Sequence, residues 1–307
     1  MNKALFSILF LLAIPCIPVK AKVFNDSIPA GKNFEKAAFR LWYPDNIKEI
    51  RTIVVLVPGS NGDGRGMVSD SAWQNFAYRN GLAVLGCYFT DTKHPDQDIE
   101  YYVKTSEGSG QALLDVINRF AAGSVHPELA NAPLLLWGHS AGGQFNYEFA
   151  CWKPGRVMAF VVNKGGIYYT AIASAATRQV PGIFFTGEKD IEFRIDIING
   201  IFAVNRRFGA LWAIAKEPGA GHEPGLTQKL TIEYFQEILA LRFLQTNAES
   251  RQDPGMRELR EDSGFIGDPK THKITPFNQW KKTSYPTAWL PTSWFSEKWR
   301  AFVEGKF

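Results

Sequence analysis

The stretch Leu134-Leu-Leu-Trp-Gly-His-Ser-Ala-Gly-Gly143 constrains this chain more than any other. An apolar run stops at a serine that has glycine two places before it and two places after it, and a helical pattern over 144–152 follows directly. A backbone that passes from a buried strand into a helix through one residue must turn sharply. The positions flanking the turn then face each other closely, so both must be small. Such a turn holds the Ser140 hydroxyl at its tip, and the N-terminal N–H groups of the next helix point at the same place, which favours developing negative charge. In a chain with 27 glycines the five-residue pattern alone is a weak signal. The strand before it and the helix after it give it meaning, against the alternative of a glycine-rich turn that only packs tightly.

The same alternation runs through the chain. Short apolar, β-branched runs at 53–57, 82–89, 133–137, 157–162, 183–186 and 210–215 predict strands. Between them, helical patterns fall at 71–80 (stopped by Gly81), 109–122 (Leu113, Leu114, Ile117 and Phe120 on one face) and 191–208, and 226–244 closes the unit. The expected fold is α/β, with a mostly parallel central sheet and helices on both faces. The strands are apolar throughout rather than alternating, which suits burial from both sides. One catalytic domain is expected over 22–247. Residues 248–307 form an extension, polar at first and then carrying Trp280, Trp289, Trp294 and Trp299 among prolines. It is too short and aperiodic for a second domain and is expected to pack across the main body.

The first 21 residues predict a signal peptide: Lys3, an apolar stretch over 4–19, then Val19-Lys20-Ala21 as a cleavage site. Pro15 and Pro18 interrupt a stretch already short for a membrane span, and Pro15 before Cys16 does not suit a lipoprotein. The chain is therefore expected to be secreted or periplasmic, with no membrane association once the leader is removed. Loss of Lys3 and Lys20 leaves 32 basic against 30 acidic residues, a net charge of +2. No Lys/Arg run stands out, which excludes an electrostatic footprint for nucleic acid. No Cys or His spacing resembles a zinc site, and no metal is expected. Cys87 and Cys151 could pair in an oxidising compartment, but their expected positions on opposite sides of the predicted sheet disfavour a disulfide.

A serine hydroxyl needs a base, normally histidine, held in one tautomer by a carboxylate. In enzymes built on such a turn the acid precedes the histidine, and both follow the serine. Of the five histidines, only His222 and His272 lie beyond Ser140. His222 sits in Glu217-Pro-Gly-Ala-Gly-His-Glu-Pro224, a loop between the last strand and the closing helix, at the same sheet edge as Ser140. His272 lies in the polar part of the extension, so His222 is the expected base. Ile183-Phe-Phe-Thr-Gly-Glu-Lys-Asp190 ends a strand in a turn that offers Asp190 as the acid, with Glu188 second. Asp190 can also cap the helix that follows. Acyl transfer needs donors for the oxygen that gains charge. The Ala141 amide is one candidate. The other comes from the loop Val57-Pro-Gly-Ser-Asn-Gly-Asp-Gly64, at Ser60 or alternatively Asn61. His139, Asn61 and Tyr168 are candidate substrate contacts. His139 should point away from the serine, and core packing is the commoner fate of rings such as Trp137, Tyr168 and Tyr169.

These segments, in this order and spacing, resemble the α/β-hydrolase superfamily over roughly residues 35–245. The turn Gly138-His139-Ser140-Ala141-Gly142-Gly143, the leader and the lack of a large lid insertion are most similar to secreted esterases of the polyhydroxybutyrate-depolymerase and feruloyl-esterase type. The oxyanion loop departs from many relatives by starting Pro58-Gly59 in place of His-Gly. The resemblance implies a serine hydrolase that cleaves a small-molecule or polymer-linked ester through an acyl-enzyme, without a cofactor. A peptidase or acyltransferase would use the same three residues, and a noncatalytic binding protein on the same scaffold is the alternative of a different class.

Overall fold

The computed structural model describes residues 20–95, 99–243 and 256–307. In chain order the main elements are β1 (Ala21–Ile28), β2 (Lys36–Pro44), β3 (Ile53–Val57), α1 (Ser71–Asn80), β4 (Ala83–Thr90), α2 (Ser109–Gly123), β5 (Leu134–His139) and α3 (Ala141–Trp152). They continue with β6 (Val157–Asn163), α4 (Ala175–Arg178), β7 (Gly182–Gly187), α5 (Glu192–Arg207), β8 (Trp212–Glu217) and α6 (Thr227–Arg242). The extension supplies β9 (Phe265–Gly267), β10 (Ile274–Pro276), β11 (Ala288–Leu290) and α7 (Ser293–Val303).

One eight-stranded sheet, ordered β1-β2-β4-β3-β5-β6-β7-β8, organises the main body. Strands β3 to β8 pair in parallel, while β1 with β2 and β2 with β4 pair antiparallel. Alternate residues of β3 show why the strand is apolar throughout. Ile53, Val55 and Val57 join a core with Leu113, Ile117 and Phe120 of α2 and Phe145 of α3. Val54 and Leu56 join an opposite core with Trp73 and Phe76 of α1 and with Tyr234, Phe235 and Ile238 of α6. The chain therefore has the expected α/β architecture, with helices on both faces. Local signals explain its sharpest boundaries. Asp70 accepts hydrogen bonds from the Ala72 and Trp73 amides at the start of α1, and Gly81 at φ 67° ends it.

The antiparallel pair β1 and β2 was not anticipated from sequence. β1 carries Lys22, Asn25, Asp26 and Ser27 and is exposed on alternate residues, as an edge strand can be. Lys20 and Ala21, the end of the expected leader, belong to the described structure: the Lys20 carbonyl accepts from the Asp45 amide, and Ala21 pairs with Pro44. The rest of that leader, and the expected boundary at 247, lie outside the described residues. No helix among the described residues is long and apolar enough to cross a membrane. Cys87 and Cys151 are free thiols.

The extension packs as core. β10-β9-β11 form a small antiparallel sheet, and Trp289 of β11 and Trp299, Phe295 and Phe302 of α7 join the core on the α6 face. The Trp299 indole donates to the Ile214 carbonyl at 2.8 Å, and the buried Arg206 guanidinium of α5 donates to the Thr287 carbonyl. Trp294 is different: 45% of its surface is exposed. Removing the fully buried Trp299 side chain therefore predicts a loss of roughly 3–5 kcal/mol. Trp294→Ala predicts a change within about 0.5 kcal/mol. Urea denaturation of both variants checks this; equal effects would show that the extension does not share the main core.

Candidate active site

The glycines around Ser140 leave no room for any other residue. A Cβ on Gly138 would stand 2.2 Å from the Gly142 carbonyl oxygen, and one on Gly142 would stand 2.0 Å from that of Val57. Ser140 itself turns at φ 53° and precedes α3 as its N-cap, and its amide donates to the Asn163 carbonyl of β6 at 2.9 Å. A positive φ in a residue with a Cβ is strained, and the surrounding contacts hold it there.

Two loops bring partners to this point. His222, beyond β8, lies with Nε2 at 2.9 Å from Ser140 Oγ. Its Nδ1 lies 3.0 Å from Oδ2 of Asp190, in the turn beyond β7. An ionised carboxylate only accepts, so Nδ1 carries the proton and the Nε2 lone pair faces the serine hydroxyl. The Asp190 side chain is only 2% exposed, and its Oδ1 accepts from the Ile191 amide at 2.7 Å and Arg194 Nη1 at 2.6 Å. Burial alone would raise its pKa, but hydrogen bonds from His222, the Ile191 amide and Arg194 hold it below the usual carboxylate value. Arg194 Nη1 also comes within 3.1 Å of His222 Nδ1. With both atoms carrying protons, this is a charge contact and not a hydrogen bond. Glu188 is exposed and turned to the Gly219 amide, while His272 lies in the extension against Glu304 and Trp299.

The loop beyond β3 runs alongside: a Cβ at Gly59 would stand 3.5 Å from Ser140 Cβ. Asn61, at φ 52°, is tied to its surroundings there. Its amide donates to the Tyr102 hydroxyl, its Oδ1 accepts from the Asp91 amide, and its Nδ2 donates to Ser60 Oγ. These bonds brace the loop, and the residue stays exposed to solvent. The Ser60 and Ala141 amides have no acceptor among the described residues.

Tyr168 is half-buried against the core. Its ring packs edge-on to Tyr147 at 5.2 Å, its hydroxyl lies over Gly165 without a hydrogen-bond partner, and burial pushes its pKa up. His139 is half-buried, and its Nε2 donates to the His222 carbonyl at 2.5 Å. Burial lowers its pKa to about 4, so the ring is neutral and can serve as a steady single donor.

That bond is one of several that grip the His222 loop. The Ala220 carbonyl accepts from the Lys189 amide, the Glu223 carbonyl from Lys164 Nζ at 2.6 Å, and the Pro224 carbonyl from Asn163 Nδ2 at 3.0 Å. Lys164 is fully buried at φ 52° and pairs with Glu217 at 2.7 Å, whose other oxygen accepts from the Leu226 amide. Sequence reasoning missed Asn163, Lys164, Arg194 and Glu217. The available signal was polar residues at the ends of otherwise apolar strands, in Asn163-Lys164 and Lys216-Glu217. Removing one partner leaves the other charge buried and alone, so Lys164→Met predicts a loss of about 3–5 kcal/mol. The double variant Lys164→Met/Glu217→Leu should recover most of it, because neither charge is left unpaired. Denaturation of the single and double variants checks this; additive losses would contradict it.

No protein-family model matches the chain, and no curated protein sequence matches it. Solved structures do. A ferulic acid esterase superposes with a TM-score of 0.51 at 12% identity, covering 72% of this chain and 98% of its own. The poly(3-hydroxybutyrate) depolymerase LpqC from Bordetella parapertussis gives 0.51 at 14%, covering 76% and 93%. A bacterial heroin esterase gives 0.50 at 15%, covering 72% and 83%. At these identities the likeness concerns the backbone path. Together with the sheet order and the glycine-walled serine turn, it establishes that the chain has the α/β-hydrolase fold.

Proposed function

We propose that this chain is a secreted or periplasmic serine hydrolase that cleaves carboxylic esters. The observation that carries the reading is the unbroken path Asp190–His222–Ser140, at 3.0 and 2.9 Å, ending on a strained serine. Ser140 Oγ attacks the ester carbonyl while His222 Nε2 takes its proton. The tetrahedral intermediate collapses, and His222 returns that proton to the leaving alkoxide. Water, deprotonated by the same imidazole, then attacks the acyl-enzyme, the acyl–Oγ bond breaks to release the acid, and the imidazolium returns its proton to Ser140 Oγ. Asp190 keeps Nδ1–H in place and stabilises the imidazolium that forms at each step.

The Ser60 and Ala141 amides are the donors for the oxyanion. Each such donor contributes about a hundredfold to a thousandfold in rate because it is aimed before charge develops. The proposal takes ester hydrolysis over other acyl transfers because the structural neighbours reported above carry esterase or depolymerase names.

Turnover of 4-nitrophenyl acetate by Ser140→Ala should fall to the uncatalysed background. Asp190→Asn should lose about four orders of magnitude in kcat, because the tautomer is no longer fixed. Glu188→Gln should stay within about twofold, as expected of a surface substitution away from the chemistry. Equal turnover by the parent and Ser140→Ala would refute the assignment. A large loss in Glu188→Gln with none in Asp190→Asn would exchange the two acids.

A further inference from the structure

We propose that the site selects esters that also carry a carboxylate, such as the half-ester of a dicarboxylic acid, and that Arg194 recognises that carboxylate. The inference rests on the serine-esterase reading and names its substrate class. Arg194 opens α5. Its Nη1 reaches Asp190 Oδ1 at 2.6 Å and stands 3.1 Å from His222 Nδ1, one imidazole ring away from Ser140 Oγ. The side chain lies over the turn beyond β6, where a Cβ on Gly166 would stand 3.7 Å from Arg194 Nε and 3.6 Å from Gln144 Oε1. Gln144 is in the first turn of α3, so the guanidinium spans the gap between the serine helix and the acid loop.

A guanidinium that only braces a carboxylate usually does so with two parallel bonds. Here a single nitrogen serves Asp190, whose Oδ1 is already held by the Ile191 amide. Nε and Nη2 meet no acceptor among the described residues, and the side chain keeps 19% of its surface exposed. A cation beside the acid also works against the chemistry, because it competes with the imidazolium for the charge of Asp190. A planar cation with two open donors, one ring from the nucleophile, matches a carboxylate a few bonds from the scissile carbonyl. The exposed Phe193 ring, 5.8 Å from the Arg194 guanidinium, offers apolar contact to the carbon chain between the two acyl groups. Hydrolysis of such a half-ester consumes one water and releases the alcohol, a dicarboxylate and a proton.

The test compares mono-4-nitrophenyl adipate with its methyl ester, which has the same reacting bond and no charge. After background subtraction, kcat/KM should favour the anion at least about tenfold, mainly through KM, as expected of hydrogen bonds to a charged group. The ratio should fall to about one in Arg194→Gln and stay a few-fold in Arg194→Lys, which keeps the charge but not the fork. A ratio near one in the parent, or one unchanged in Arg194→Gln, overturns the inference. Binding to Ser140→Ala separates recognition from chemistry. By calorimetry, monomethyl adipate should bind at least about tenfold more tightly than dimethyl adipate, and the preference should vanish in Ser140→Ala/Arg194→Gln. If the parent turns over neither ester, the serine-esterase reading fails, and this binding difference alone decides the role of Arg194: present it supports the inference, absent it overturns it.

Discussion

The approach of Gly142 to the Val57 carbonyl oxygen is the contact on which the site depends. No side chain fits there, since a Cβ would stand 2.0 Å from that oxygen. Because the two backbones touch, α3 can begin one residue after β5 ends, and Ser140 is held at a φ that it would not adopt freely. The flanking sheet makes this rigid. β3 and β6 lie on either side of β5, both are buried on both faces, and β6 receives the Ser140 amide through the Asn163 carbonyl. The strain at Ser140 is thus supported by the most buried part of the molecule.

The histidine is placed by a different means. His222 lies in a loop with glycine at 219, 221 and 225, a composition with high conformational freedom in the unfolded chain. Four carbonyls of that loop are held from below: by Lys189, His139, Lys164 and Asn163. The donors differ in chemistry, and the buried Lys164–Glu217 pair ties the start of the loop to its end. Preorganisation of this kind lets a loop serve chemistry that needs sub-ångström placement. It also explains why His139, next to the serine in sequence, is turned toward the loop.

Much of this was legible in the sequence, for identifiable reasons. The parallel strands and their helices were readable because each strand is a continuous apolar run and α1 carries its stop signal, Gly81. Ser140, Asp190 and His222 could be singled out because chain order and strand ends restrict the choices to a few residues, and the fold brings these three within hydrogen-bond reach. What stayed hidden depends on side-chain direction or on long-range pairing. β1 is too polar to read as a strand, and the three-residue strands of the extension are too short to show a period. Tyr168 points inward and Arg194 lies across to Asp190, and neither direction follows from position in the chain. The Lys164–Glu217 pair joins residues 53 apart in sequence, so only the assembled sheet reveals it.

The central claim is that Ser140 is an activated nucleophile. Its most direct measurement is mass spectrometry of the intact protein and its peptides after treatment with a fluorophosphonate. The account predicts one adduct, on Ser140, formed rapidly in the parent and strongly slowed in His222→Ala. No adduct, an adduct on another serine, or equal labelling rates in the parent and His222→Ala would contradict it.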